Sequence, residues 1–381
     1  MTVGILTSGG DALGMNAAVR AAFRAIKMRE PDREIVFFRD GFRGLAGRLD
    51  SSSDRNVDRS SIRDIIHRGG TFLGTGRVKE MILPAEDHPD YTTAVAARDK
   101  FLRLATANLF QTGVRDLIVI GGDGSFRGAR VIADAFRTTF TDERFRVVGI
   151  PATIDNDIAG TDFSIGYDTA MNNVVDAIRK IRDTVESHRR AIVLEVMGNT
   201  SGWLALQCAI AGGAAAVAIP EIADSYSIPR LTAAVTAGAL RDYRYFIIVV
   251  AEGVMKVAGA DWMQRLKTSL ELEPQLIRHL NGPMEVRLNS VGHIARGGSP
   301  TAFDNTLAGM LGAAAAEVIQ LGEVEGVRVG MDDHVVVGCR GVDMVAVPLE
   351  DVVRRSPRLV TSGSSLYRLA TQLTLGVEQP F

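Results

Sequence analysis

Residues 117–125 read Leu-Ile-Val-Ile-Gly-Gly-Asp-Gly-Ser and are the clearest indication of the fold class. Its first half is a short apolar run, which is typical of a strand buried on both faces of a parallel sheet. Its second half is a glycine-rich turn, and residues 127–136 beyond it have a helical pattern. The stretch therefore predicts a strand, a tight loop and a helix, the repeating unit of an α/β protein.

The same unit recurs along the chain. Apolar runs that predict strands lie at residues 3–6, 35–38, 117–120, 147–150, 191–196, 246–250 and 335–337. Helical patterns lie between them, the clearest at residues 16–27, 127–136 and 169–186. Small or acidic residues directly follow the runs that end at residues 6, 120, 150, 196 and 250. Because open α/β sheets bind ligands at the carboxyl ends of their strands, we expect the functional site at this edge.

Composition and charge exclude several classes of protein. The 381 residues carry 43 Lys and Arg against 45 Asp and Glu, a formal charge of −2 that argues against a dedicated nucleic-acid binder. Two cysteines, Cys208 and Cys339, are too few for a disulfide framework and indicate a reducing compartment. Apolar runs are too short to span a bilayer, and the first residues lack a signal-peptide pattern. We expect a cytoplasmic protein of two or three domains, with no membrane or nucleic-acid partner.

Two glycine loops are candidate phosphate sites. Gly9-Gly10-Asp11 and residues 121–125 each follow an apolar run and precede a helical pattern, so backbone N–H groups could face an anion there. Neither loop has the sequence of a Walker A loop or of a dinucleotide fingerprint, and a tight strand–helix turn is the alternative. Asp123 could bind Mg²⁺ together with phosphate oxygens, or could instead cap the following helix.

The segment Thr153-Ile154-Asp155-Asn156-Asp157 is the densest acidic motif. Two carboxylates at i and i+2 after a strand could divide the work, one accepting a proton and the other positioning a hydroxyl or a metal. The alternative is an Asx turn with solvated acids.

Basic residues occur in three further segments. They are Arg189-Arg190, Arg287, and residues 292–300, which contain His293 and Arg296. Guanidinium groups match phosphate oxygens and stay charged, so these residues are candidates for holding a phosphorylated substrate. A solvated surface role for each arginine, and a hydrogen-bonded structural role for His293, are the alternatives.

Taken together, these motifs resemble the phosphofructokinase family. The matching segments are residues 4–16 (GILTSGGDALGMN), 69–77 (GGTFLGTGR), 120–125 (IGGDGS), 151–157 (PATIDND), 166–170 (GYDTA), 195–198 (EVMG), 251–253 (AEG) and 292–300 (GHIARGGSP). They follow the family's order over most of the chain. The resemblance implies a glycolytic enzyme that transfers the γ-phosphoryl group of ATP to the 1-hydroxyl of fructose 6-phosphate. It also implies two doubly wound α/β domains with mostly parallel sheets, residues 1–165 plus 294–346 for the nucleotide and 166–293 plus 347–381 for the sugar phosphate.

The resemblance also implies a role for each matching residue. Asp155 would be the general base, Thr153 and Asp157 would line the same catalytic loop, and Asp123 would hold Mg²⁺. The implied nucleotide-binding residues are Gly10, Arg77, Val78, Gly122, Asp123, Gly124 and Ser125, with Arg77 also catalytic. The implied substrate-binding residues are Thr153, Ile154, Asp155, Arg190, Met197, Gly198, Asn199, Glu252, Arg287, His293 and Arg296. In the family the arginines matching Arg190 and Arg287 reach in from a neighbouring subunit, which implies a homodimer or homotetramer.

Three positions bear on donor and substrate. Pyrophosphate-using relatives typically carry Asp at the position of Gly124 and Lys at that of Ala152, so this chain resembles the ATP-using members. Asn199 stands where the family has an arginine that helps to neutralise the transferring phosphate. This departure leaves three alternatives open. Another cation could replace the arginine, or the substrate could be another sugar phosphate such as sedoheptulose 7-phosphate. The chain could also be a catalytically silent subunit that only binds nucleotide or sugar phosphate.

Overall fold

The computed structural model describes residues 1–55, 57–76, 78, 81, 88–188 and 190–374. The strands are β1 (Thr2–Thr7), β2 (Ile35–Phe38), β3 (Ser53–Asp54), β4 (Val114–Gly121), β5 (Arg146–Pro151), β6 (Ala191–Val196), β7 (Ala216–Ala218), β8 (Phe246–Ala251), β9 (Val286–Ser290), β10 (Glu323–Val324), β11 (Val327–Arg328), β12 (Val335–Arg340) and β13 (Asp343–Pro348). The helices are α1 (Met15–Arg29), α2 (Phe42–Leu45), α3 (Leu49–Ser52), α4 (Tyr91–Gln111), α5 (Asp123–Thr139), α6 (Tyr167–His188), α7 (Trp203–Gly212), α8 (Ile228–Leu240), α9 (Gly253–Ala258), α10 (Trp262–Glu271), α11 (Pro274–Leu280), α12 (Ala302–Leu321), α13 (Leu349–Arg355) and α14 (Ser365–Leu373).

The chain forms two compact units. The first consists of Met1–Thr153, Ile158–Tyr167 and Gly298–Pro357, and the second of Ile154–Asp157, Asp168–Gly297 and Arg358–Phe381. Each unit holds its own parallel sheet, so the predicted α/β class with mostly parallel strands is confirmed.

The sheet of the first unit runs in the order β13-β12-β5-β4-β1-β2-β3. Its central strands are parallel, and β3 and β13 pair antiparallel at the edges. Successive side chains of each central strand point to opposite faces of the sheet and pack into different hydrophobic cores. Ile118 and Ile120 pack with α1 and α12 on one face, whereas Leu117 and Val119 pack with α4, α5 and α13 on the other. Burial on both faces explains why these strands read as continuous apolar runs.

The sheet of the second unit is all parallel, in the order β7-β8-β6-β9. Its strand β8 is entirely apolar and buried. One core of this unit packs α8, α10 and α11 around fully buried Trp262.

The end of the first unit differs from the boundary that we predicted. We placed residues 347–381 with the sugar-phosphate domain, but α13 contributes Leu349, Val352 and Val353 to the first unit's core. Strand β13 pairs with β12 as far as Pro348, which keeps this segment on the first sheet. The chain therefore leaves the first unit at Pro357. Which unit binds which substrate stays a prediction.

Within the described residues, no helix combines the length and the apolar character needed to cross a bilayer.

Candidate active site

Strands β1 and β4 mark the point where the strand order of the first sheet reverses. They lie side by side, but the chain continues from β1 to β2 on one side and returns to β4 on the other. Such a switch point opens a crevice at the carboxyl ends of the two strands. Both glycine loops singled out in the sequence start there, directly after Thr7 and Gly121.

Residues 68–75 are joined by hydrogen bonds to the loop after β1 and to the first turn of α1. The Asn16 side chain donates to the Arg68 carbonyl at 3.0 Å and accepts from the Phe72 N–H at 2.7 Å. Thr75 Oγ1 donates to the carbonyl of Gly9 at 2.9 Å. The part of the sequence motif that the structure describes, residues 69–76, is thus brought beside Gly9. Arg77, which we predicted to be catalytic, lies outside the described residues, and the Val78 side chain is buried in the core.

Two buried oxygens directly after β4 have no hydrogen-bond partner among the described residues. They are Asp123 Oδ1 and Ser125 Oγ, both at the start of α5. Gly122 occupies the N-cap position without a side-chain cap, so Asp123 is not the helix cap that we considered as an alternative. A buried polar atom without a partner is costly, and two of them at a helix N-terminus indicate a site built for a ligand.

Asp123 suits Mg²⁺ in its chemistry. Its free Oδ1 is a hard oxygen donor, and Mg²⁺ usually takes one or two carboxylates while phosphate oxygens and water complete its octahedron. The described residues contain no group of three or more His, Cys, Asp or Glu side chains that could hold a metal ion.

Arg127 is a neighbour of this site that sequence reasoning missed. Its Nε donates to Asp123 Oδ2 at 3.0 Å, and its terminal nitrogen donates to the Ser356 carbonyl at 2.6 Å. This contact holds one oxygen of Asp123 and leaves the other free. The i, i+4 spacing of Asp123 and Arg127 was the available signal in the sequence.

In the second unit, Glu252 fastens the loop that follows β6. The Glu252 N–H donates to the Val196 carbonyl at 2.9 Å, and Oε1 accepts from the N–H groups of Gly198 at 3.3 Å and Asn199 at 2.7 Å. Gly198 and Asn199 have φ values of 143° and 54°, so the loop turns sharply here. Burial, together with the negative charge of Glu252, raises the pKa of Glu195 on β6. The predicted sugar contacts Met197, Gly198, Asn199 and Glu252 therefore share one short segment of the sheet edge.

The acidic segment Ile154–Asp157 belongs to the same unit, whereas Thr153 belongs to the first. Ser201 Oγ donates to the Asp155 carbonyl at 3.2 Å, and a guanidinium nitrogen of Arg358 donates to the Asn156 carbonyl at 3.2 Å. Arg358 in turn lies 5.0 Å from the ring centre of Trp203. Ile154 is fully buried, and these contacts fix the backbone that carries Asp155 and Asp157.

The predicted phosphate-binding residues fall into two groups. His293 and Arg296 lie in the 3-10 turn Gly292–Arg296 after β9, whose backbone is held by the Asn173 side chain at 3.2 Å from the Ala295 carbonyl. Arg190 and Arg287 lie at the opposite, amino ends of β6 and β9, where both contact the carboxylate of Glu285. Because a strand rises about 3.3 Å per residue, the four residues 287–290 alone separate the two groups by about 10 Å. The two groups therefore lie at opposite ends of the same strands.

Comparisons with known proteins show which family this chain is similar to. The family model described as Phosphofructokinase matches residues 2–319. The chain is 40% identical to the ATP-dependent 6-phosphofructokinase of Bacillus licheniformis, over 98% of this chain and 99% of the relative. It is 39% identical to the enzyme of the same name from Bacillus subtilis, over the same shares.

Solved structures show the same fold. The phosphofructokinase of Saccharomyces cerevisiae superposes with a TM-score of 0.74 at 25% identity, covering 98% of this chain, which spans about half (48%) of the yeast chain. A pyrophosphate-dependent phosphofructokinase from Marinobacter aquaeolei superposes over all of this chain and 94% of that chain with a TM-score of 0.73 at 18% identity, and supports the fold alone. By the match of the family model to residues 2–319 and by its similarity to these relatives over nearly its whole length, this chain belongs to the phosphofructokinase family.

Proposed function

We propose that this protein transfers the γ-phosphoryl group of ATP to the 1-hydroxyl of fructose 6-phosphate, giving fructose 1,6-bisphosphate and ADP in glycolysis. The observation that carries the proposal is the pair of buried oxygens of Asp123 and Ser125 at the start of α5, for which the described part of the chain supplies no partner. An ordinary strand–helix turn has no use for such a pair, whereas a metal-bound triphosphate satisfies both. Relatives 40% identical over nearly the whole chain have the same activity in their names.

Each proposed residue has one task in this reaction. The sugar 1-hydroxyl oxygen bonds to the γ-phosphorus, the bond from that phosphorus to the β–γ bridging oxygen breaks, and the hydroxyl proton passes to Asp155. Backbone N–H groups after β1 and β4, with Ser125, hold the phosphates of ATP. His293 and Arg296 hold the 6-phosphate, which orients the 1-hydroxyl. Asp123 would hold Mg²⁺, which offsets charge on the phosphate oxygens when bound.

A substrate panel tests the proposal. Turnover is measured with ATP or pyrophosphate as donor and with fructose 6-phosphate or sedoheptulose 7-phosphate as acceptor, with release of ADP or phosphate as the readout. We expect turnover with ATP and fructose 6-phosphate and none with pyrophosphate. A preference for sedoheptulose 7-phosphate would show that the protein is a kinase for another sugar phosphate and that fructose 6-phosphate is not its main acceptor. Calorimetric binding of both substrates without turnover would make the chain a silent subunit and would overturn the proposal.

Gly124 allows a sharp test of the donor. A Cβ atom at Gly124 would meet nothing within 4 Å, so Gly124→Asp will fold normally and place a carboxylate beside the proposed phosphate site. Because juxtaposed like charges cost several kcal/mol, we expect the KM for ATP to rise about 100-fold or more. Gly309→Asp is the matched control, since its Cβ also meets nothing within 4 Å and it lies on α12. Equal KM values in the two variants would contradict an ATP site at Gly124.

We also propose a homodimer or homotetramer in which Arg190 and Arg287 serve the neighbouring subunit. Their position at the amino ends of β6 and β9, away from His293, supports this arrangement. Arg287→Ala and His293→Ala chains should each be inactive alone. When the two are denatured together and refolded, about a quarter of the activity should return, because half the dimers are hybrids with one intact site each. If no activity returns in the mixture, then Arg190 and Arg287 serve the same site as His293 and Arg296 within one chain.

A cytoplasmic location fits this function. Cys208 and Cys339 are both free and buried, which suits a reducing compartment.

A further inference from the structure

Among the residues that the structure describes, no carboxylate lies within ion-pair distance of Lys256, which follows the carboxyl end of a strand of the second sheet. It lies on α9, directly after the carboxyl end of β8, and its side chain is exposed. Its ammonium group donates to Asn199 Oδ1 at 2.6 Å and to the Asn199 carbonyl at 3.3 Å. Both acceptors are neutral, and an ammonium group has three donors.

Glu252 is placed to form an ion pair with Lys256 but binds other groups instead. The two residues are i and i+4, a spacing at which Glu and Lys commonly form an ion pair on a helix. Here Glu252 Oε1 instead accepts the N–H groups of Gly198 and Asn199. The carboxylate shapes the loop after β6, and the same loop then holds Lys256 through Asn199.

The order of the strands indicates what this cation meets. Strands β8 and β9 flank β6 on opposite sides, so Lys256 after β8 and His293 with Arg296 after β9 lie on the two sides of the sugar loop. Neighbouring strands are about 4.8 Å apart, which separates the ends of β8 and β9 by about 10 Å. A sugar whose 6-phosphate is held on the β9 side would therefore direct its opposite end, with the 1-hydroxyl, to the β8 side.

We propose that Lys256 contacts the phosphoryl group in transit and supplies the positive charge that Asn199 lacks, with Asn199 as its positioning residue. The inference rests on the proposed function. A cation at this point compensates negative charge on the transferring oxygens in the transition state, so it acts on kcat more than on sugar binding.

The test compares variants of the full chain in the fructose 6-phosphate assay. Because hydrogen bonds to charged groups contribute about 1.5–3 kcal/mol, Lys256→Ala should lower kcat about 10- to 100-fold, with the KM for fructose 6-phosphate within about threefold of the unmodified value. Lys256→Arg should keep most of the activity. Adding Asn199→Arg to Lys256→Ala should restore kcat at least in part, because the new arginine supplies a positive charge at the loop after β6, where Lys256 had supplied it. Lys180→Ala is the control, because Lys180 is an exposed lysine paired with Asp176 and should change nothing.

The outcomes separate the inference from the proposed function. If the unmodified chain turns over and Lys256→Ala keeps its kcat, or changes only the KM for the sugar, the inference is wrong and the kinase activity stands. If the unmodified chain does not turn over any sugar phosphate, the proposed function fails and the inference with it. Melting temperatures of all variants show whether a lost activity reflects lost folding, and rescue by Asn199→Arg cannot arise from a structural role of Lys256.

Discussion

Replacing Asp155 with asparagine will lower kcat by about 10²- to 10⁴-fold, because the variant removes the base that accepts the 1-hydroxyl proton. The amide has almost the same shape as the carboxylate but cannot take up a proton. Backbone anchors through Ser201 and Arg358 do not involve the Asp155 side chain, so the loop should keep its conformation. Initial rates at saturating ATP and fructose 6-phosphate measure the effect.

Binding separates a lost base from a lost site. Calorimetry of the Asp155→Asn variant should give nearly unchanged affinities for nucleotide and sugar phosphate. Asp261→Asn, a surface carboxylate paired with Arg265, is the matched control for loss of one charge and should keep full activity. A kcat of the Asp155→Asn variant within threefold of the unmodified chain would show that another group accepts the proton.

The fold could be predicted from the sequence because each strand carries its signal locally. The apolar run at residues 117–120 lies inside β4, and the run at 191–196 coincides with β6. Burial on both faces removes polar residues from these strands, so they stand out from their surroundings. The glycine loops were equally visible, because a ligand edge requires small residues directly after a strand.

Contacts between distant residues could not be predicted in this way. Arg358 holds Asn156 across 202 positions of sequence, and Lys256 holds Asn199 across 57. Nothing local distinguishes these cations from solvated surface residues, because their roles depend on which strands become neighbours. The boundary that we predicted at the end of the first unit differs from the structure for the same reason. Whether Leu349 and Val352 join one core or the other depends on the pairing of β13 with β12.

The charged cluster around Asp116 is the clearest such case, and it gives the largest expected effect on stability. Asp116, near the start of β4, is fully buried and accepts hydrogen bonds from Arg146 at 2.9 Å, Arg144 at 2.8 Å and Arg33 at 3.1 Å. Arg146 is itself buried, which lowers the pKa of its guanidinium, while the charge of Asp116 opposes that shift. Asp116 thus contacts three cations at the amino ends of the strands, away from the ligand edge, and Glu30 also pairs with Arg33 at 3.0 Å.

Asp116→Asn should destabilise the first unit by about 3–5 kcal/mol, because breaking a buried ion pair leaves uncompensated charge in the interior. For a unit of this size, 1 kcal/mol corresponds to about 2–4 °C, so the melting temperature should fall by about 6–20 °C. Asp332→Asn is the matched control: Asp332 lies 4.0 Å from Arg144 but is 74% exposed, and exposed pairs contribute about 0–1 kcal/mol. Turnover well below the melting temperature should be unchanged in both variants. Equal melting temperatures for the two variants would mean that the arginines are solvated or relaxed enough to do without Asp116.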